Sequence, residues 1–313
     1  MKTKALRLVK PGKMDVVEID VPDPGPGEVL VEVKANGICK GDIALFTGEL
    51  NWGYPFFHGH EPVGVIVKTG PGVNGLQPGD AVACLGSPSY RRHIITHCSR
   101  TLKIPVESPD LPLWVIEPAS CAVNGVQSSG LKIGDRVALV GCGYMGMLVL
   151  QTLPREVFSR LLVADPDPSR LEMARSFGAT ETYNPKETDL AALAKESGYF
   201  DVVIEASGVK GTLSVATAMV RTGGILNIFG WHQGEEMVPT HEWHYKGLRV
   251  LNTAPMFVDD FTPCFRAAVA LMGKGRIDQS KLITHRFELD KVEQGFEIAA
   301  GKKDGYIKGV ILF

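Results

Sequence analysis

Gly141-Cys142-Gly143-Tyr144-Met145-Gly146 follows the apolar run Val137-Ala138-Leu139-Val140, and Asp165 comes roughly twenty residues later. The apolar run reads as a buried parallel strand, Met147 to Leu153 as the start of a helix, and Leu161-Leu162-Val163-Ala164 as a second strand ending at Asp165. Glycines let the backbone turn sharply and approach a diphosphate, whose charge the helix N-terminus favours. A carboxylate closing the second strand can accept from a ribose diol. A lone GxGxxG says little, but strand, glycines, helix, strand and acid in register point to a dinucleotide site.

The rhythm on either side differs. From about residue 118 onward, strand candidates at 137–140, 161–164, 201–205, 225–229 and 248–252 alternate with helical stretches such as 169–177 and 211–220. This is the signature of a doubly wound parallel sheet, an α/β fold. The first hundred residues instead carry β-type runs at 29–33, 64–67 and 81–83, separated by Pro and Gly clusters, and predict a compact, largely antiparallel domain. Helices at 261–274 and 291–300 and a strand at 307–313 complete the chain. The expected division is 1–118, 119–254 and 255–313, the last segment returning to the first domain.

Bulk properties exclude several classes. The chain has 313 residues, 44% apolar and 22% charged, with a net charge of −2, so neither nucleic acid nor an anionic membrane is an expected partner. No apolar run is long enough to span a bilayer, and the N-terminus lacks the apolar region of a signal peptide, which predicts a cytoplasmic protein. Its six cysteines are scattered without a CxxC pair, as expected of buried thiols.

Chemistry concentrates in a second cluster. Cys39 lies in Gly37-Ile38-Cys39-Lys40-Gly41-Asp42, His60-Glu61 in His58-Gly59-His60-Glu61-Pro62-Val63-Gly64, and Glu117 opens Glu117-Pro118-Ala119. A thiolate, an imidazole and one or two carboxylates suit zinc with a position left open. On residue type alone, a cysteine such as Cys39 is more often a small core residue and a glutamate such as Glu61 a surface charge.

Taken with Gly79-Asp80-Ala81-Val82, Gly223-Gly224 and Leu282-Ile283-Thr284-His285-Arg286-Phe287, these motifs resemble, across nearly the whole chain, the medium-chain zinc-dependent alcohol and polyol dehydrogenases. The sorbitol and threonine dehydrogenase branch is the nearest in pattern. The resemblance implies a GroES-like β-rich catalytic domain holding zinc, a Rossmann domain holding NAD, and a cleft between them. It implies Cys39 and His60 as zinc ligands, with Glu61 or Glu117 filling the remaining place. Asp42 would orient the His60 imidazole. Gly141, Gly143 and Gly146 would face the pyrophosphate, Asp165 the adenine ribose, and Arg170 would lie beside it. Tyr144, Met145 and Ser207 join the cofactor set, while Lys40 and Lys308 would neutralise the diphosphate. Asp165 repels a 2′-phosphate, favouring NAD over NADP.

Three departures from the pattern matter. The four-cysteine lobe that holds a structural zinc is missing, so one catalytic zinc per subunit is expected. Gly41 and Ala44 replace the hydroxyl and imidazole of the usual proton relay. His58 stands where an apolar residue is usual and is a candidate acid/base or substrate contact, or a packed histidine. The expected activity is hydride transfer between NAD(H) and a secondary alcohol or ketone, with a sugar, polyol or cyclitol as substrate, in a homodimer or homotetramer. The rival readings are a zinc-free reductase of the quinone-reductase type and a catalytically silent NAD(H)-binding protein.

Overall fold

A computed structural model describes residues 1–107, 109–253 and 258–313. The chain forms β1 (Lys2–Lys10), β2 (Lys13–Asp20), β3 (Glu28–Gly37), α1 (Lys40–Thr47), β4 (Phe56–Phe57), β5 (Pro62–Thr69), β6 (Ala81–Cys84), β7 (His93–His97) and β8 (Thr101–Lys103). There follow α2 (Glu117–Ser128), β9 (Arg136–Val140), α3 (Tyr144–Thr152), β10 (Arg160–Ala164), α4 (Pro168–Ser176), β11 (Glu181–Tyr183), α5 (Leu190–Ser197) and β12 (Phe200–Glu205). Then come α6 (Thr212–Met219), β13 (Val220–Ile228), α7 (Thr240–Lys246), β14 (Arg249–Asn252), α8 (Thr262–Gly273), β15 (Ile283–Glu288), α9 (Val292–Gly301) and β16 (Lys308–Leu312).

Two compact units result, Met1–Pro118 with Phe265–Phe313, and Ala119–Cys264. The predicted boundary at 254/255 touches residues outside those described. The chain rejoins the first unit at Phe265, because α8 begins among the contacts of the second and ends among those of the first.

The first unit is built on a sheet in the order β15-β16-β3-β5-β6-β8, with β7 also paired to β3. All its pairings are antiparallel except β15 with β16. Alternation of buried and open positions along β3 places Val29, Val31 and Val33 on a core with Ile66, Val82 and Ile94. A separate three-stranded sheet, β2-β1-β4, pairs Lys2–Leu8 with Met14–Asp20. The sequence reading missed this hairpin. Its strands carry charge on one face, so the apolar run that signals a buried strand is absent, although Leu6, Leu8 and Met14 pack into a core with Phe46, Tyr90 and Phe296.

The second unit is a parallel sheet in the order β11-β10-β9-β12-β13-β14. Chain order reverses between β9 and β12, which puts the ligand-binding switch point at their carboxyl ends. β9, β10 and β12 are buried almost throughout, as strands covered on both faces must be. Strand β13 begins at Val220, earlier than the predicted 225, and a Cβ at Gly224 within it would collide with Val220 and the Asp201 carbonyl. Helix α3 starts at Tyr144 rather than Met147, with Gly143 as its extended N-cap. Among the described residues, no helix is long and apolar enough to cross a membrane.

Candidate active site

Cys39 is the N-cap of α1, in extended backbone conformation where β3 gives way to the helix. Its amide donates to Asp42 Oδ2 at 3.0 Å, so the third residue of the helix fixes the start of the turn. His60 and Glu61 precede β5, and the Glu61 amide donates to the buried Asn36 Oδ1 at 3.1 Å. Strands β3 and β5 are hydrogen-bonded neighbours, paired through Asn36 and Pro62, and this pairing brings residues 39 and 60–61 together. One ligand atom from each of Cys39, His60 and Glu61 falls within 4.8 Å of the others, the only such group of His, Cys, Asp and Glu among the described residues.

This group fits zinc by its chemistry: a soft sulfur, an imidazole nitrogen and an anionic oxygen, with room for a fourth ligand. Glu117, at the first turn of α2, is not in the compact group, although its charge acts on His60. Burial pushes the His60 imidazole down, but the Asp42 carboxylate, Cys39 and Glu117 together raise it to about 11. Asp42 runs the other way. Burial alone would raise its carboxyl, yet His60 and His58 hold it well below the usual range.

A linkage follows for zinc uptake. The His60 shift is upward, so in the metal-free protein the imidazolium contributes its full stability below the ordinary histidine value, and this is lost as pH rises towards 11. Zinc must displace that proton, so affinity is expected to weaken about tenfold per pH unit lowered for each proton released. Calorimetric titration in two buffers of different ionisation heat counts those protons; zinc binding with no proton released would contradict the assignment.

Glu61 is 1% exposed and its charge is met by Lys308, 4% exposed. Lys308 Nζ donates to Oε1 at 2.8 Å and lies 2.6 Å from Oε2, where it lacks hydrogen-bond geometry and leaves Oε2 without a partner. Burial lowers the Lys308 ammonium, but Glu61 and Cys39 more than offset this and hold it above the ordinary lysine value. Lys308, expected beside a diphosphate, is found against Glu61 instead. Buried beside Glu61, its ammonium meets that carboxylate, since an unpaired buried charge would be far costlier. Gly37 makes the arrangement possible, because any Cβ there would collide with Glu61 Oε2.

Asp42 also departs from expectation. Its Oδ1 accepts from His58 Nδ1 at 3.0 Å and lies 3.8 Å from His60 Nδ1, too long for a hydrogen bond. Its Oδ2 accepts from the Tyr90 hydroxyl at 2.8 Å. His58 is 4% exposed among the rings of Phe56, Tyr90 and Phe296, and its Nε2 has no partner. Of its two predicted roles, these surroundings are those of the packed histidine. Tyr90 and Asn36 were missed as site residues; neither lies in a motif, and their site partners, Asp42 and Glu61, lie 48 and 25 residues away in sequence.

In the second unit, the Gly141 amide donates to the Ala164 carbonyl at 2.8 Å, and the Cys142 amide to Asp165 Oδ2 at 2.7 Å. Asp165 Oδ1 accepts the Asp167 amide at 2.9 Å, so this 4%-exposed carboxylate first of all clamps the glycine loop to the end of β10. Gly141, at φ +101°, abuts the backbone of Ser207, and a Cβ on Gly146 would strike the Gly141 carbonyl. Tyr144 and Met145 form the first turn of α3, and Arg170 stands on α4 with its Nε 3.7 Å from Asp167. Ser207 is bound by amide and hydroxyl to Glu205, which is fully buried at the carboxyl end of β12 and also accepts from His232 Nε2 at 2.7 Å. Lys40, the first residue of α1, is exposed in the first unit.

Comparison with known proteins agrees with both halves. Residues 25–108 match the alcohol dehydrogenase GroES-like domain and residues 131–272 the zinc-binding dehydrogenase domain. The chain belongs to the medium-chain, zinc-type alcohol and polyol dehydrogenase family, and is an oxidoreductase. It is 27% identical to D-arabinitol dehydrogenase 1 of Uromyces fabae, over 96% of this chain and 94% of that one. It is 27% identical to sorbitol dehydrogenase of Gallus gallus, over 94% and 92% respectively. A zinc-binding dehydrogenase from Sinorhizobium meliloti 1021 bound to NADP superposes with a TM-score of 0.85, at 27% identity and complete coverage of both chains.

Proposed function

We propose that the protein is an NAD-dependent zinc dehydrogenase that interconverts a secondary alcohol and a ketone, with a sugar, polyol or cyclitol as substrate. The observation that carries this is the Cys39–His60–Glu61 group, set in a chain that also closes a glycine loop onto Asp165. The arabinitol and sorbitol dehydrogenases among its relatives support the polyol class.

When bound, zinc supplies a Lewis acid that favours the ionised form of a substrate hydroxyl, and NAD accepts the hydride. The chain's own residues do the rest. Cys39 and His60 hold the metal, and Glu61 is the nearer of the two carboxylates for the third place. The loop from Gly141 to Gly146 presents the α3 N-terminus to the diphosphate. Each Asp165 oxygen keeps a lone pair beyond its bond to Cys142 or Asp167 for a ribose hydroxyl, and its charge disfavours the 2′-phosphate of NADP. Gly41 leaves only Cys39 Sγ near its would-be Cβ, so no side chain at that position carries the alcohol proton away. With His58 buried and Glu61 paired to Lys308, Glu117 is the carboxylate left to relay it through water.

One zinc per chain belongs to this reading, held by the Cys39–His60–Glu61 group, and the missing four-cysteine lobe leaves no place for a structural one. Six free cysteines support a reducing cytoplasm, and β14 at the sheet edge offers a surface for a homodimer or homotetramer. Metal analysis with a screen of polyols, sugars and simple secondary alcohols tests the reading. The expected result is one zinc per chain and NADH formation abolished by chelation, with NADP far slower. Activity that survives chelation would identify a zinc-free reductase; NADH binding without turnover on any substrate would identify a binding protein.

A further inference from the structure

Asp42 serves two imidazoles with one carboxylate oxygen. Oδ1 is 3.0 Å from His58 Nδ1 and 3.8 Å from His60 Nδ1, and all three groups belong to the first unit. The other oxygen accepts from the Tyr90 hydroxyl and the Cys39 amide. His58 Nε2 is buried among rings without a partner, which assigns the ring's N–H to Nδ1 and to Asp42. His60 therefore receives the weaker share of the carboxylate.

We propose that His58 is a positioning residue that draws Asp42 away from the metal ligand His60 and so sets how strongly His60 binds zinc. A carboxylate accepting from the far nitrogen of a ligating imidazole raises its basicity and its hold on the metal, an effect worth about 10–100-fold in affinity when complete. Here the competitor keeps it incomplete. Removing the His58 donor frees Oδ1 to close a gap of less than 1 Å to hydrogen-bonding distance. The outcome is opposite to that of an ordinary supporting residue: loss of His58 tightens zinc.

The inference rests on the zinc reading of the site. His58→Phe keeps an aromatic ring among Phe56, Tyr90 and Phe296 and deletes the donor. His58→Asn keeps a side-chain N–H near the Nδ1 position. Zinc affinity is measured by competition with a chromophoric chelator, and the ligand field from the visible spectrum of the cobalt-substituted protein, with melting temperature as a check of folding. His58→Phe is expected to bind zinc about 3–10-fold more tightly, a part of the full effect, and to shift the cobalt spectrum, while His58→Asn stays within about twofold of the wild type. His58→Leu carries the same expectation if the phenylalanine fails to pack. Weaker or unchanged zinc binding in a folded donor-free variant would overturn the inference while leaving the function intact. A wild-type chain that takes up no zinc would overturn both.

Discussion

Replacing Cys39 by serine is expected to lower zinc affinity on the order of 1,000-fold and to abolish turnover, because a direct ligand outweighs the 10–100-fold cost of losing a group that merely supports one. The fold should survive. Cys39 is the N-cap of α1, and serine is among the best residues there, so the helix start and the Asp42 bond to its amide persist. Metal content, thermal melting and dehydrogenase activity are measured on one preparation. A variant that melts like the wild type but holds no zinc is the expected result; full zinc and activity would remove Cys39 from the site.

Lys308→Met is expected to destabilise the metal-free protein by about 3–5 kcal/mol, the cost of leaving a buried carboxylate without its counter-charge. Glu61 is nearly inaccessible, and the Lys308 ammonium at 2.6–2.8 Å is the cation that meets it. Glu61→Met combined with Lys308→Met should recover most of the loss, since two apolar side chains of similar volume replace the pair. Urea unfolding of the four members of the cycle gives the coupling. Single variants that cost no more than the double variant would mean that the pair is not interdependent.

The parallel unit was the more legible half. Its strands are buried on both faces, so Val137–Val140 and Leu161–Ala164 stand out as unbroken apolar runs, and Gly141 and Gly146 of the loop are held against backbone atoms where no side chain can enter. The β1–β2 hairpin was not legible, because half-exposed strands alternate with charges and resemble surface segments. At the candidate site, the family resemblance offered Cys39 and His60 with Glu61 or Glu117, but the sequence could not assign partners. Two histidines two apart, 58 and 60, both reach Asp42, and only three-dimensional packing decides which ring comes within 3.0 Å. Lys308 illustrates the limit more sharply. A lysine in a strand reads as surface charge, and the carboxylate that buries it lies 247 residues earlier in the chain.

The distribution of the first unit over Met1–Pro118 and Phe265–Phe313 imposes an order on synthesis. Cys39, His60 and Glu61 leave the ribosome early, whereas β16, which flanks β3 in the sheet and carries Lys308, is made after every other strand of that sheet. Until the residues of β16 emerge, β3 has an open edge beside the three candidate metal donors, and the Glu61 carboxylate lacks the Lys308 ammonium. The second unit, Ala119–Cys264, is complete by then and free to fold on its own. A nascent or truncated chain ending before Lys308 thus exposes a thiol, an imidazole and a carboxylate on an unfinished sheet, and the newly made enzyme is most vulnerable to the wrong metal in that interval.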